Sequence, residues 1–215
     1  MQYEIVNLET WERKNAFRHY IERVRNVVGI TAEIDVTALL RFAKANGLKF
    51  YPTMIWVVST VVNRHAEFKY GWDEEGRLIR WERIAPYYTD FRAKEEEFVL
   101  LWTEYTENFR AFYRKVEEDR AKALARGREE FGGAPGNVFN ISALPWLKYQ
   151  SLDIHVFDEG KYLAPVITWG KYTEQNGKII MPLSIQMHHA VCDGYHLCRF
   201  FNEVQEVADA LGQET

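Results

Sequence analysis

The chain has 215 residues, 27 of them Lys or Arg and 31 Asp or Glu, for a net charge of −4 spread finely along its length. That balance excludes a nucleic-acid surface built on a basic stripe. At 47% apolar and 15% aromatic, the chain is expected to form one domain over residues 1–215 with a sizeable core.

Residues 9–24 read as a helix with Trp11, Phe17, Tyr20 and Val24 on one face. Residues 29–36 alternate as a strand, 37–45 form a short helix stopped near Asn46-Gly47, and Pro52 opens an apolar helix to about His65. Strands over 68–72 and 77–81 flank a hairpin signal, Asp73-Glu74-Glu75-Gly76, and 87–91 and 97–103 continue the β pattern. Residues 107–127 make a long charged amphipathic helix. A Gly-rich loop at 132–136 leads to a strand over 138–143, and strands at 151–157 and 164–172 follow. Asn176-Gly177 turns the chain into a strand at 179–188, and 194–211 is a closing helix. Helices and strands are mixed without strict alternation. The expected class is α/β in the broad sense: an α+β two-layer sandwich, a mixed sheet with helices on one side.

No basic segment followed by an apolar stretch marks a signal peptide at Met1-Gln2-Tyr3-Glu4-Ile5-Val6. The most apolar stretch, 54–62, is too short to span a bilayer. Cys192 and Cys198 are six apart in one helical segment and are expected as thiols, in a cytoplasmic setting.

The segment Gln186-Met187-His188-His189-Ala190-Val191-Cys192-Asp193-Gly194-Tyr195-His196 sits where a strand gives way to a helix. Such junctions place side chains at the mouth of a cleft. A neutral imidazole accepts a proton near neutral pH, as activating an alcohol requires, provided its other nitrogen is held. On the residues alone three readings stand. Asp193 before Gly194 is an N-cap and the histidines merely structural. His188, His189, Cys192, Asp193 and His196 have ligand chemistry for a metal, yet adjacent histidines on a strand point to opposite faces, so no metal is expected. The third reading is a catalytic histidine with a supporting aspartate.

At these residues the sequence resembles the chloramphenicol acetyltransferase family, whose pattern is His-His-x-x-x-Asp-Gly. Further matching stretches are Asn140-Ile141-Ser142-Ala143-Leu144-Pro145-Trp146, Ala164-Pro165-Val166-Ile167-Thr168 with Lys171-Tyr172, Lys49-Phe50-Tyr51-Pro52, and Trp11-Glu12-Arg13-Lys14 with Tyr20. The resemblance runs from about residue 5 to 210. It implies O-acetyl transfer from acetyl-CoA, a co-substrate and not a resident cofactor, to a hydroxyl of chloramphenicol. His189 would be the general base, with its tautomer held by a backbone carbonyl. Asp193 would brace the turn through Arg13, Ser142 would donate to the oxyanion, and Thr168 would hold a water. Lys49, Tyr51, Trp146, Lys171 and Tyr172 would line the CoA side. Tyr20, Val24, Val28, Thr89, Phe98, Leu152, Ile154, Val156 and Val166 would line the acceptor side. The resemblance also implies a homotrimer with active sites between subunits, His189 facing Tyr20, Ser142 and Thr168 of a neighbour. The sequence departs from the family at Val28, where an aromatic is usual, and at Leu100, where a smaller residue is usual. Losing one aromatic contact predicts roughly ten-fold weaker binding of chloramphenicol. The alternatives are a relative acting on another alcohol or on a dihydrolipoyl thiol, and a non-catalytic ligand-binding relative.

Overall fold

A computed structural model of the chain describes residues 2–126 and 133–213. The elements are β1 (Tyr3–Ile5), α1 (Lys14–Arg18), a π-helical turn (His19–Arg23), β2 (Val27–Asp35), α2 (Thr37–Ala45), α3 (Phe50–Arg64), a 3-10 turn (Ala66–Phe68), β3 (Tyr70–Trp72), β4 (Leu78–Trp81), β5 (Ala85–Arg92), β6 (Glu97–Trp102), α4 (Phe109–Arg126), β7 (Val138–Leu144), β8 (Val166–Gly170), β9 (Thr173–Gln175), β10 (Lys178–His188) and α5 (Gly194–Gly212).

The large sheet runs β2-β10-β8-β7-β5-β6, with β9 added to β10 through the Asn176-Gly177 turn. Both turn residues have positive φ, 52° and 78°, the conformation that closes a two-residue hairpin and favours Asn-Gly. β7 lies parallel to β5 and β8; the other pairings are antiparallel. A small sheet, β1-β4-β3, stands apart. Period-two alternation divides the large sheet by face. Tyr88, Ile141, Ile167 and Ile185 lie side by side and join the hydrophobic core with α3 and α5. The opposite face carries Ser142, Thr168, Ser184 and Thr31 in register. Met54, Ile55, Val57, Val58, Val61 and Val62 of α3 are all fully buried, because that helix is wrapped by α2, α4 and α5. This is the expected two-layer α+β arrangement. No helix among the described residues is long and apolar enough to cross a membrane.

Four expectations are corrected. Residues 9–24 do not form one helix. Asn7 holds the chain back: its carbonyl accepts from the backbone N–H of Thr10 and Trp11, and its side chain from that of Glu9. Helix starts only at Lys14 and widens into the π-turn, where Val24 N–H reaches the His19 carbonyl. Val24 is consequently 47% exposed and leaves the apolar face that Trp11, Phe17 and Tyr20 share. Residues 151–157 are not a strand; among the described residues no strand pairs with them, and the Leu152 carbonyl is instead taken by the Gln186 side chain at 2.7 Å. The 164–172 strand narrows to Val166–Gly170, and the next backbone N–H, that of Lys171, donates to the Leu147 carbonyl at 2.9 Å instead of to a neighbouring strand. Residues 127 and 132, at the ends of the expected charged helix and Gly-rich loop, lie outside the described residues.

Candidate active site

β10 ends at His188, and the chain makes a tight turn before α5 begins after Asp193. The turn is tied to the β1–β2 region at several points. His189 N–H donates to the Asn26 carbonyl at 3.0 Å. Arg13, just before α1, donates from Nε to the Ala190 carbonyl at 2.7 Å and from Nη2 to the His189 carbonyl at 2.8 Å. Its Nη1 and Nη2 grip the two Asp193 carboxylate oxygens at 2.5 and 2.6 Å. One guanidinium therefore satisfies two turn carbonyls and one carboxylate in its rigid fork. Hydrogen bonding from Arg13 lowers the Asp193 pKa below the usual carboxylate value.

The same turn orients the His189 ring. Nδ1 lies 2.9 Å from the Cys192 carbonyl, and a carbonyl only accepts, so Nδ1 carries the proton. Asp193 Oδ1 lies 3.2 Å from the same nitrogen. Nε2 is left with its lone pair, facing away from these groups. Tyr20, on the π-turn, stacks on the imidazole with ring centroids 4.0 Å apart and planes within 15°. This corrects the subunit assignment implied for Tyr20: it covers His189 of its own chain, because the Arg13 clamp draws α1 and the π-turn over the β10–α5 junction.

Ser142 and Thr168 are directly paired across β7 and β8, with Ser184 beside Thr168 on β10. Ser184 Oγ is 2.7 Å from Thr31 Oγ1 and 3.2 Å from the Tyr149 hydroxyl, which donates to the Thr168 carbonyl at 2.8 Å. Thr168 is fully buried, and its hydroxyl has no partner among the described residues. His189 lies five positions beyond Ser184, about 16 Å along the strand. A single chain thus brings Arg13, Tyr20, His189 and Asp193 together, and Ser142 with Thr168, but not the two groups with each other.

Two clefts flank these groups. The first, about 450 Å³, is lined by Asn26, Ile154, Val156, Val166, Gln186 and His188 among others. It gathers three of the expected acceptor-side residues; Val28 packs half-buried against the core and Val24 points outward. The second, about 390 Å³, is lined by Tyr51, Trp146, Lys171 and Tyr172, together with Thr89 and Phe98. The expected CoA-side and part of the expected acceptor-side residues therefore share one cavity. Tyr51 donates to the Thr89 carbonyl at 2.6 Å, and burial raises its pKa. Lys49 is not among the residues lining it; its ammonium is 2.5 Å from Glu117 on α4. Phe91 and Arg120 were not expected in this cavity. Phe91 stacks edge-on against Trp146 at 4.7 Å, and the two-residue spacing from Thr89 already put it on that face. Arg120 reaches Asp90 at 2.7 Å from a different element, which no local pattern signals. Cys192 is buried and Cys198 exposed, both free.

A family model described as chloramphenicol acetyltransferase matches residues 1–205. A chloramphenicol acetyltransferase of Clostridium perfringens is 44% identical over 97% of this chain and 95% of its own. One of Vibrio anguillarum is 39% identical over 98% and 96%. Among solved structures, a chloramphenicol acetyltransferase superposes with a TM-score of 0.83 at 25% identity, covering 96% of this chain and 99% of its own. A probable dihydrolipoamide acetyltransferase from Listeria monocytogenes shares the fold, with a TM-score of 0.67 at 13% identity over 99% and 96% of the two chains.

Proposed function

The chain belongs to the chloramphenicol acetyltransferase family, and from that premise we propose how its residues carry the reaction. It is an acyltransferase that acetylates a hydroxyl of chloramphenicol, with acetyl-CoA as the donor. His189 Nε2 takes the hydroxyl proton, the oxygen attacks the thioester carbon, and the C–S bond of the tetrahedral intermediate breaks. The imidazolium returns the proton to the CoA thiolate, leaving the acetyl ester and free CoA. The observation that carries this reading is the Nδ1 contact to the Cys192 carbonyl at 2.9 Å, which reserves Nε2 as the base.

Ser142 donates to the oxyanion and the Thr168 hydroxyl holds a water beside it; its orphaned, buried position suits a partner delivered with substrate. Arg13 and Asp193 brace the turn. Tyr51, Trp146, Lys171 and Tyr172 hold the CoA, and Lys49 contributes charge near its entrance. Val28, Ile154, Val156, Val166, Thr89 and Phe98, with Val24, Leu152 and Tyr20, form the acceptor side.

The separation of His189 from Ser142 and Thr168 supports a site completed by a second subunit. So do the exposed Val24, Val27, Ile154, Val156 and Phe157 beside the first cleft, the last 96% exposed. Side chains of this kind gathered at one edge mark an interface, and a homotrimer closes the set. Free cysteines and an acetyl-CoA donor fit a cytoplasmic enzyme.

A thiol-release assay tests the reading. Release of CoA that requires chloramphenicol supports it. Release that requires dihydrolipoamide instead, or no release at all, contradicts it.

A further inference from the structure

Three histidines crowd the β10–α5 junction, and the proposed chemistry uses only His189. The two flanking rings have a common arrangement. Ala190 N–H donates to His188 Nδ1 at 3.1 Å, and Asp193 N–H donates to His196 Nδ1 at 2.9 Å. A main-chain N–H only donates, so each of these ring nitrogens accepts and carries no proton. His189 does the reverse, giving its Nδ1 proton to a main-chain carbonyl. The flanking rings are thus neutral Nε2–H tautomers, whereas the central ring carries its proton on Nδ1.

The two N–H groups held this way belong to Ala190 and Asp193, whose carbonyl and carboxylate Arg13 grips from the other side. We propose that His188 and His196 are positioning residues, neutral brackets that fix the turn and hence the direction of His189 Nε2, and that protonating either one releases the turn. The proposal rests on the reading of His189 as the base. Protonation would place an N–H on Nδ1 against the main-chain N–H it now receives. That replaces a hydrogen bond by a repulsion, and a shift of about 1 Å at a reacting group costs on the order of a hundred-fold in rate.

The surroundings hold both rings neutral. His188 is 3% exposed on the outer sheet face, and its Nε2 makes no hydrogen bond among the described residues. Burial lowers its pKa, against the pull of Asp158 and the Gly160 backbone, with His189 reinforcing the lowering. Arg25, His155 and Glu159 share its cleft. His196 is likewise lowered by burial, opposed by Asp193 and helped by Arg13 and His65. Beyond these lie Arg64, Glu67, Arg199 and Glu203, paired among themselves and with His65 across α3 and α5. Both shifts are downward, so the brackets are intact at neutral and alkaline pH and open only on acidification.

Asn reproduces a ring Nδ1 acceptor without titrating; Leu supplies neither. The test measures kcat, KM and the acid limb of the pH profile for the full chain with His188→Asn, His196→Asn, the double Asn variant and the two Leu variants, each checked by thermal melting. The expected result is that the Asn variants keep turnover near wild type while each Leu variant loses at least about ten-fold in kcat with KM little changed. The wild-type acid limb should fall more steeply than one decade per pH unit, and the double Asn variant should fall with the slope of a single proton. If the Leu variants melt out, the Asn variants decide: wild-type steepness in the double Asn variant overturns the proposal. Nitrogen-15 shifts of the histidine rings keep it separate from the base assignment. An Nδ1–H tautomer at His188 or His196 overturns the brackets, whereas full turnover in His189→Ala would overturn the base while leaving those shifts as assigned here.

Discussion

Arg13 holds Asp193 through two hydrogen bonds of 2.5 and 2.6 Å, across 180 residues of sequence, while the same guanidinium caps the carbonyls of His189 and Ala190. Asp193 is therefore occupied as a brace, although its Oδ1 stands 3.2 Å from His189 Nδ1. The turn bearing the base is fixed to the first helix and not only to its own strand.

Breaking this clamp should cost more activity than stability. Arg13 is 17% exposed and Asp193 41%, so solvent screening limits the loss to roughly 1–3 kcal/mol. Arg13→Lys keeps the charge but not the fork, and kcat should fall about ten- to hundred-fold with KM changed less. The carboxylate pKa is lowered in the fold, so the stabilisation is complete above the unfolded value near pH 4 and disappears as pH drops through the folded one. Acid unfolding followed by circular dichroism should show that low-pH loss in wild type and not in Asp193→Asn.

Thr168→Val separates catalysis from stability. The hydroxyl is buried without a partner among the described residues, so removing it should leave the melting temperature unchanged or raised. Turnover should nonetheless fall, by about ten-fold or more if a bound water beside the oxyanion is lost. Ser142→Ala should cost on the order of a hundred-fold in kcat. Steady-state kinetics and a melting curve on each variant check both.

Trp146→Ala should act on the donor. Trp146 is 54% exposed and meets Phe91 at 4.7 Å and Phe98 at 6.2 Å in the second cleft. The KM for acetyl-CoA should rise about ten-fold, as expected when about 1.4 kcal/mol of apolar contact is lost.

How much of this could be read beforehand differed by residue. The strand that ends at His188 and the helix after Asp193 followed from apolar periodicity and the Asp193-Gly194 start signal, both local. The α+β class followed from the irregular order of elements. Arg13, Ser142 and Thr168 carried no local signal, and only their joint likeness to a family singled them out. Residues 151–157 alternate as a strand should, yet alternation says only that one side is apolar; a strand also needs a partner edge. The place of Tyr20 over His189 is not legible either, because spacing does not reveal that a π-turn swings the ring there. The Lys49–Glu117 and Arg120–Asp90 pairs depend on how α4 packs, which no short window contains.

The base assignment is tested most directly by kcat for acetyl transfer from acetyl-CoA to chloramphenicol in His189→Ala, with the melting temperature confirming an intact fold. A fall of at least about a thousand-fold with the fold retained is expected, because the group placed to take the hydroxyl proton is gone. Turnover within about ten-fold of wild type would contradict it and move the chemistry away from the Cys192-anchored imidazole.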